Sequence, residues 1–287
     1  MKKSFLTTVV AGLLAITACN ATPVNSEIKM NISNKEKAVA LLNSIETGDQ
    51  NAIGYVNPVK YTQHNLAVGD GLAGFGAVLQ ALPKNSAKVN VVRSFSDGEY
   101  VFTHTDYNFF GPKIGFDLFK FEDGLIVEHW DNLDKKSATL NPSGRSQIDG
   151  PTAIEDLNKT DENKTLVAKF VDTILVNGQF EQLNTFFEGD FYHQHNTAIA
   201  DGLSGLGQAL EAMAKNGIKM VYSKNHKILG EGNFVLSISE GTFADQPTSF
   251  YDLFRVENGK IVEHWDVMET IIPKAQWKNT NGKFGNL

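Results

Sequence analysis

Apolar side chains recur at helical spacing in four segments of the chain, which we predict to be amphipathic helices. The first segment of each half has its apolar face at Ala38, Leu41, Leu42 and Ile45, and at Val167, Phe170, Val171 and Ile174. The second segment has it at Leu72, Phe75, Val78, Leu79 and Leu82, and at Leu203, Leu206, Leu210 and Met213. Gly48 and Gly178 follow the first helices as C-terminal glycines, and Asp70 and Asp201 precede the second ones as N-caps.

Segments of strand-forming residues follow each pair of helices. In the first half they span 88–94, 100–108, 115–122 and 125–131. Asp123-Gly124 and Asn258-Gly259 are typical of tight turns between antiparallel strands. Helices followed by antiparallel strands predict an α+β fold in each half.

The strongest feature of the chain is an internal repeat. Residues 61–76 return as 192–207 with ten identities in sixteen positions, and residues 116–131 return as 251–266 with eleven. The offset drifts only from 131 to 135 residues, so the two halves have the same order of elements. A period of this length indicates two whole domains rather than a solenoid.

A polar segment separates the two repeats. Residues 137–164 are rich in Ser, Asn, Asp, Thr, Gly and Pro, which is typical of a linker. We therefore predict a first domain at 34–136, a linker at 137–161 and a second domain at 162–273. Residues 274–287 are expected to form a loose polar tail.

The Tyr-x-Gln-His-Asn segment and the Ile-Val-Glu-His-Trp-Asp strand of each half resemble the SnoaL-like polyketide cyclase family. This family belongs to the nuclear-transport-factor-two-like superfamily, with ketosteroid isomerase and scytalone dehydratase. The resemblance covers both halves and implies an α+β fold of two tandem cone-shaped barrels. Each barrel would be a curved antiparallel sheet wrapped round helices, with a pocket at its open end. In these families the outer sheet faces pair as dimers, so we expect the halves to pack as an internal pseudo-dimer; any further oligomerisation stays open.

Strand alternation selects the side chains that could line such pockets. His129 and Asp131 share one face of the last strand, and Trp130 points to the other. The resemblance implies that Asp131 and Asp266 act as acid/base, with Asp117 and Asp252 in the place of a polar partner that is typically histidine in the cyclases. Two close carboxylates in an apolar pocket raise one pKa, which suits proton transfer.

The candidate residues fall into two groups. The candidate catalytic residues are Asp131, Asp266, Asp117, Asp252, His129 and His264. The candidate substrate-binding residues are Tyr61, His64, Asn65, His104, Tyr192, His195 and Asn196. The second half has Ile238 in the place of His104, so the two pockets are not equivalent.

These residues also have structural interpretations. In this alternative, the His-Asn pairs have no role beyond hydrogen-bonding the loops that lead into Asp70 and Asp201. His129 and His264 would then be residues at the rim of each pocket. Trp130 and Trp265 are expected to pack between the sheets rather than contact a ligand.

The sequence leaves two classes of function open. The first is a cofactor-independent isomerase or lyase acting on a small hydrophobic carbonyl compound, and the second is a non-catalytic ligand-binding or protein-interaction lipoprotein.

The N-terminus predicts export and lipid attachment. Lys2 and Lys3 precede an apolar run of about a dozen residues, too short to span a bilayer as a helix but suited to a secretory signal. The run ends in Ile16-Thr17-Ala18-Cys19, which resembles a bacterial lipobox. We expect a signal peptide at 1–18, lipid on Cys19, a tether at 19–33 and a periplasmic-side, membrane-anchored place in the cell envelope. The alternative is an ordinary signal peptide with a chance cysteine.

Composition and motif context exclude several kinds of partner and site. The 287 residues are 41% hydrophobic and carry a net charge of −7, which suits a folded protein and argues against nucleic acid as a partner. With one cysteine the chain has no intramolecular disulfide and no zinc site built from several thiolates. The segment Gly69-Asp-Gly71-Leu-Ala-Gly74 lacks the βαβ context of a dinucleotide site. We expect neither metal nor cofactor.

Overall fold

The computed structural model describes Met1 and residues 32–287, and residues 32–287 form one compact unit. Apart from Met1 and residues 32–33, the predicted signal peptide (1–18), Cys19 and the tether (19–33) lie outside the described residues. In the described part of the chain, no helix is long and apolar enough to cross a membrane.

Each half has the same order of strands and long helices. The first half contains α1 (Asn34–Thr47), α2 (Gln50–Ile53), β1 (Thr62–Gln63), α3 (Gly71–Ala81), β2 (Lys88–Asp97), β3 (Tyr100–Asn108), β4 (Pro112–Glu122) and β5 (Leu125–Lys135). The second half contains α4 (Thr160–Phe170), which continues as a π-helical turn (Val171–Val176), then β6 (His193–Gln194), α5 (Gly202–Lys215), β7 (Met220–Glu231), β8 (Phe234–Phe243), β9 (Gln246–Glu257) and β10 (Lys260–Thr270). Short 3-10 turns lie at Leu157–Lys159, Phe180–Thr185 and Lys274–Gln276.

The two sheets have identical topology. Their strand orders are β1-β5-β4-β3-β2 and β6-β10-β9-β8-β7. The short strands β1 and β6 run parallel to β5 and β10, and the other pairs are antiparallel. The α+β class with two helix-covered sheets is therefore confirmed.

Local signals explain where elements begin and end. Ser33 and Glu36 form a capping box at the start of α1, and Gly48 ends it in the left-handed conformation. Asp123-Gly124 forms the predicted hairpin turn, with φ of 49° and 75°. Asp70 and Asp201 occupy the N-cap positions of α3 and α5, but their side chains make no capping bond there. The Asp70 carboxylate instead accepts the backbone N–H of Gln63 at 2.9 Å.

The outer faces of the two sheets, which are the faces turned away from the helices, form one shared apolar core. Trp130 and Trp265 are each 1% exposed within it. Its other buried members are Phe95, Phe102, Ile114, Phe116 and Leu118 from the first half, and Leu229, Phe234, Leu236, Ile238, Tyr251, Leu253, Val267 and Phe284 from the second. Asn132 ties the sheets further, because its amide donates to the carbonyls of Ser249 at 2.9 Å and Val267 at 2.8 Å.

The C-terminal segment 274–287, here called the second arm, crosses from the end of β10 to the first half. The Asn279 amide donates to the carbonyls of Asn65 at 2.8 Å and Val68 at 3.0 Å. The buried indole of Trp130 donates to the Phe284 carbonyl at 3.0 Å. Where we expected a loose polar tail, the structure has a docked segment.

Residues 137–150, here called the first arm, make the reciprocal crossing from β5 to the second half. The Asn141 amide donates to the carbonyls of Gln194 at 2.6 Å and Ile199 at 3.0 Å, and the Trp265 indole donates to the Asp149 carbonyl at 3.0 Å. The two arms share a pattern, since 141–145 is Asn-Pro-Ser-Gly-Arg and 279–283 is Asn-Thr-Asn-Gly-Lys. Each arm thus binds the loop after the short first strand of the opposite half.

Docking of the second arm can be tested at Phe284, which is 8% exposed in the shared core. We expect Phe284→Ala to lower the free energy of unfolding by about 3 kcal/mol, because the ring leaves a cavity between the sheets. Leu140→Ala, at a side chain 60% exposed on the first arm, should change it by less than about 0.5 kcal/mol. Urea denaturation measures both variants, and equal values would contradict the docked arm.

Candidate functional site

The inner, helix-facing side of each sheet carries a matched pair of carboxylates. Asp117 on β4 lies directly opposite Asp131 on β5, and Asp252 on β9 lies directly opposite Asp266 on β10. Residues directly opposite across antiparallel strands point to the same face. The predicted alternation therefore places all four in the helix-covered space, where they line two separate cavities.

In the first half, a histidine joins one carboxylate to the β1 glutamine. His129 Nδ1 lies 3.1 Å from Gln63 Oε1, and Nε2 lies 3.1 Å from Asp117 Oδ1. Gln63 Oε1 also accepts the backbone N–H of Asn65 at 2.8 Å, which identifies it as the oxygen. His129 Nδ1 therefore donates its proton to Gln63. Tyr107 donates to the other oxygen of Asp117 at 2.8 Å.

The second half repeats this arrangement. His264 Nδ1 lies 3.0 Å from Gln194 Oε1 and Nε2 lies 3.0 Å from Asp252 Oδ1. Gln194 Oε1 accepts the backbone N–H of Asn196 at 3.0 Å, so His264 also donates through Nδ1. Tyr222 donates to Asp252 at 3.2 Å.

Asp131 and Asp266 are held differently from their partners, by an asparagine each. Asn65 donates to Asp131 at 2.8 Å, and Asn196 donates to Asp266 at 2.7 Å. Each asparagine is oriented by its own carbonyl, which accepts the backbone N–H two residues on at 2.9 and 3.0 Å. One carboxylate of each pair is thus bound by histidine and tyrosine, and the other by a single neutral amide donor.

The electrostatics of the second site favour proton transfer at Asp266. Burial raises the pKa of Asp266 above 3.8 and the charge of Asp252 raises it further, whereas His264 and Asn196 lower it by less. Burial lowers the pKa of His264, but its bond to Asp252 and the charges of Asp266 and Asp252 outweigh this and raise it above 6.5. Burial and Asp252 raise the pKa of Tyr222 well above 10, so that hydroxyl keeps its proton.

The two cavities differ in size. The second has a volume of about 490 Å³ and the first about 80 Å³. The helix that covers each cavity explains part of the difference, because Phe75 and Val78 on α3 are replaced by Leu206 and Ala209 on α5. The second cavity has room for a small organic molecule.

The predicted site residues separate into two locations. Ten of the thirteen line the cavities: Tyr61, Asn65, Asp117, His129, Asp131, Tyr192, Asn196, Asp252, His264 and Asp266. Three do not: His64, His104 and His195 lie on the outer side of the sheets, within the packing between the halves. His104 accepts a bond from Arg93 at 2.9 Å and packs on Phe116.

His64 and His195 serve the packing of tryptophans and arms in this structure. They stack on Trp130 and Trp265, with ring centroids 4.7 and 4.5 Å apart. His195 also bonds Glu263 at 2.8 Å and the Ser146 carbonyl of the first arm at 2.8 Å. The side chains of the two histidines therefore bond the arms and the strands β5 and β10, and not the loops that lead into Asp70 and Asp201.

Sequence reasoning missed four side chains of the sites, the glutamines Gln63 and Gln194 and the tyrosines Tyr107 and Tyr222. The glutamines were visible in the repeated Tyr-x-Gln-His-Asn motif. The tyrosines were hidden because they come from different strands. Tyr107 lies on β3, whereas Tyr222 lies on β7 directly opposite Gly241 of β8.

Within the described residues, one group of metal-ligand type occurs at the first site. Ligand atoms of Asp117, His129 and Asp131 lie within 4.8 Å of one another. His129 donates through Nδ1 and bonds Asp117 through Nε2, so a metal ion would have to break that pair before it could bind the ring.

Comparison with known proteins finds one family model and several solved structures that are similar to parts of this chain. Residues 167–264, in the second half, match the model of the SnoaL-like domain. An NTF2-like protein of unknown function from Cytophaga hutchinsonii is 18% identical over 37% of this chain and 95% of its own, with a TM-score of 0.33. An LEH-like epoxide hydrolase from M. tuberculosis is 21% identical over 39% of this chain and 85% of its own, with a TM-score of 0.30. No curated protein matches the chain significantly.

The charge state of Asp266 can be tested through stability. A carboxyl whose pKa is raised on folding costs stability as pH rises through the interval between its unfolded and folded pKa values. The unfolded value is near 3.8, so the penalty is absent below it and constant above the folded pKa. We expect the free energy of unfolding of Asp266→Asn, relative to wild type, to increase as pH rises from 3 to 7. Denaturation at several pH values measures this, and a pH-independent difference would contradict a raised pKa.

Proposed function

We propose that the second half binds a small, largely apolar carbonyl compound in its cavity and that Asp266 moves a proton on it without a cofactor. The observation that carries this is the 490 Å³ cavity with Asp266 on its wall, held by one hydrogen bond from Asn196. A carboxylate with a raised pKa is suited to general acid/base work near neutral pH. The reaction class is isomerisation, aldol closure or dehydration.

The proton transfer uses the groups of the cavity wall in separate roles. The Asp266 carboxylate takes a proton from the carbon beside the carbonyl, and the electron pair moves to the carbonyl oxygen. Neutral donors on the wall, the Tyr192 hydroxyl and the second amide hydrogen of Asn196, are suited to stabilise that oxygen. In an isomerisation Asp266 returns the proton to another carbon. His264 and Tyr222 hydrogen-bond Asp252 and hold it in position beside the site.

For the first half we propose a second SnoaL-like domain whose role is chiefly structural. The repeats at 61–76 and 116–131 and the matching sheet order support the domain. Its 80 Å³ cavity is too small for a drug-sized ligand. The alternative of a non-catalytic binding module applies to the whole chain if Asp266 proves dispensable for chemistry.

The binding proposal predicts different results for two matched substitutions. Ala209→Phe on α5 fills the second cavity, and Val78→Phe places the same ring at the equivalent position of the first. We expect small molecules extracted from the purified full chain to be lost with Ala209→Phe and retained with Val78→Phe. Mass spectrometry of the extracts measures this, and retention by the Ala209 variant would contradict binding in the second cavity.

The proposed proton transfer by Asp266 is tested separately, with the molecule that mass spectrometry of the extracts identifies. We expect Asp266→Asn to lower turnover by about 10²–10⁴-fold while the ligand still binds, as for loss of a general base. Asp131→Asn, the same change in the first half, should leave turnover within about twofold. Equal activity of the Asp266 variant and wild type would leave the non-catalytic binding module as the function.

We also propose that the protein is a lipoprotein of the bacterial cell envelope, anchored through Cys19 on the periplasmic side. The apolar run followed by Ile16-Thr17-Ala18-Cys19 supports this. Metabolic labelling with an alkyne fatty acid should mark the wild-type chain and not Cys19→Ser. Labelling of the Cys19→Ser variant, or of neither chain, would contradict the anchor.

A further inference from the structure

The first half contains a buried cation beside its cavity carboxylate, supplied by the second arm. Lys283 is 3% exposed, and its Nζ donates to the backbone carbonyl of Asp131 at 2.7 Å and to Glu269 at 2.9 Å. The same Nζ lies 3.9 Å from the Asp131 carboxylate. Glu269 belongs to β10, so the ammonium joins the cavity strand of one half to a carboxylate of the other.

The second half presents the same two carboxylates without such a cation. Asp266 takes the place of Asp131, and Asp134, three residues after Asp131 on β5, takes the place of Glu269, three residues after Asp266. Both Asp134 and Asp266 line the second cavity, Asp134 from an exposed position. Asp134 thus reaches the second cavity from the opposite half, whereas Glu269 binds the Lys283 ammonium beside Asp131 without lining the first cavity.

The residue equivalent to Lys283 is directed elsewhere. In the first arm this position is Arg145, whose guanidinium bonds Asp201 at 2.9 Å and also contacts His193. Among the described residues that line the second cavity there is neither lysine nor arginine. The Asp134 carboxylate accepts the backbone N–H of Lys135 at 2.7 Å. Partial desolvation of this exposed carboxylate and the charge of Glu269 raise the pKa of Asp134, against lowering by that backbone bond and by Lys113.

We propose that the ligand of the second cavity carries a protonated amine, which pairs with Asp134 in the place that the Lys283 ammonium takes in the first half. The inference rests on the proposed function, since it names the chemical class of the molecule bound there. The rest of the ligand is apolar, because the cavity wall is rich in adaptable aliphatic and thioether side chains, including Leu206, Leu210, Met213, Met220 and Met268.

This arrangement leaves the Asp266 carboxylate available for proton transfer. In the first half the ammonium hydrogen-bonds the backbone of Asp131 and lies too far from its carboxylate for a hydrogen bond. An amine on Asp134 would likewise bind beside Asp266 without occupying it. Ligands that carry a carboxylate or phosphate are disfavoured, because three aspartates line this cavity, whereas its wall has one histidine, His264, and no lysine or arginine among the described residues.

Three probes with one apolar cage test the inference on the full chain by calorimetry at pH 7.5: 1-adamantanamine, 1-adamantanol and 1-adamantanecarboxylate. We expect the amine to bind at least about tenfold more tightly than the alcohol, and the carboxylate most weakly. Asp134→Asn should remove the preference for the amine and leave the affinity for the alcohol unchanged. Asp123→Asn, which removes an exposed charge at the β4–β5 turn, should keep the preference.

The outcomes separate this inference from the proposed function. Binding of the alcohol with no preference for the amine, or a preference that survives in Asp134→Asn, would overturn the inference and leave the apolar cavity site standing. If Asp123→Asn also removes the preference for the amine over the alcohol, the preference is a general effect of charge, and the inference about Asp134 is overturned. No binding of any probe would overturn both the inference and the proposed small-molecule site.

Discussion

Burial of two large apolar sheet faces against each other is the constraint on which the rest of this molecule depends. Trp130 and Trp265 lie at the centre of that contact, and each indole N–H must find an acceptor because an unpaired polar group is costly there. The acceptors are the backbone carbonyls of Phe284 and Asp149, which belong to the arms of the opposite halves. The two halves are therefore interlocked rather than merely joined by a linker.

This interlocking brings residues of each half close to the carboxylate pair of the other. The second arm brings Lys283 to the strand of Asp131, and β5 brings Asp134 to the second cavity. The first cavity is narrowed by the larger helix residues Phe75 and Val78, in line with the structural role proposed for the first half. The second half keeps an open cavity and a carboxylate held by a neutral donor.

Much of the architecture could be predicted from the sequence, because it depends on local periodicity and on repeated motifs. The apolar faces of α1 and α4, the hairpin turns and the facing of Asp117 and Asp131 all follow from spacing. The outward positions of His64 and His195 could not be predicted, since a two-residue strand gives too little pattern to assign a face. Tyr107 and Tyr222 fill the same place beside the carboxylates but come from non-equivalent strands, β3 and β7. An alignment of the two repeats therefore does not pair them.

The arms show the limit of composition as a guide. Both segments are polar and rich in turn residues, and so resemble flexible linkers, yet Asn141 and Asn279 dock through paired amide bonds to loop carbonyls. The repeated Asn-x-x-Gly-basic pattern is the sequence feature that distinguishes them from such linkers.

The chain has two related cavities, of which one is proposed to be a ligand site. Native mass spectrometry of the full chain, titrated with the molecule that co-purifies with it, measures the number of ligands per chain directly. We expect saturation at one ligand per chain, because only the second cavity is proposed to bind a ligand. Saturation at two would contradict the assignment of a structural role to the first half, and absence of any bound species would contradict the small-molecule site itself.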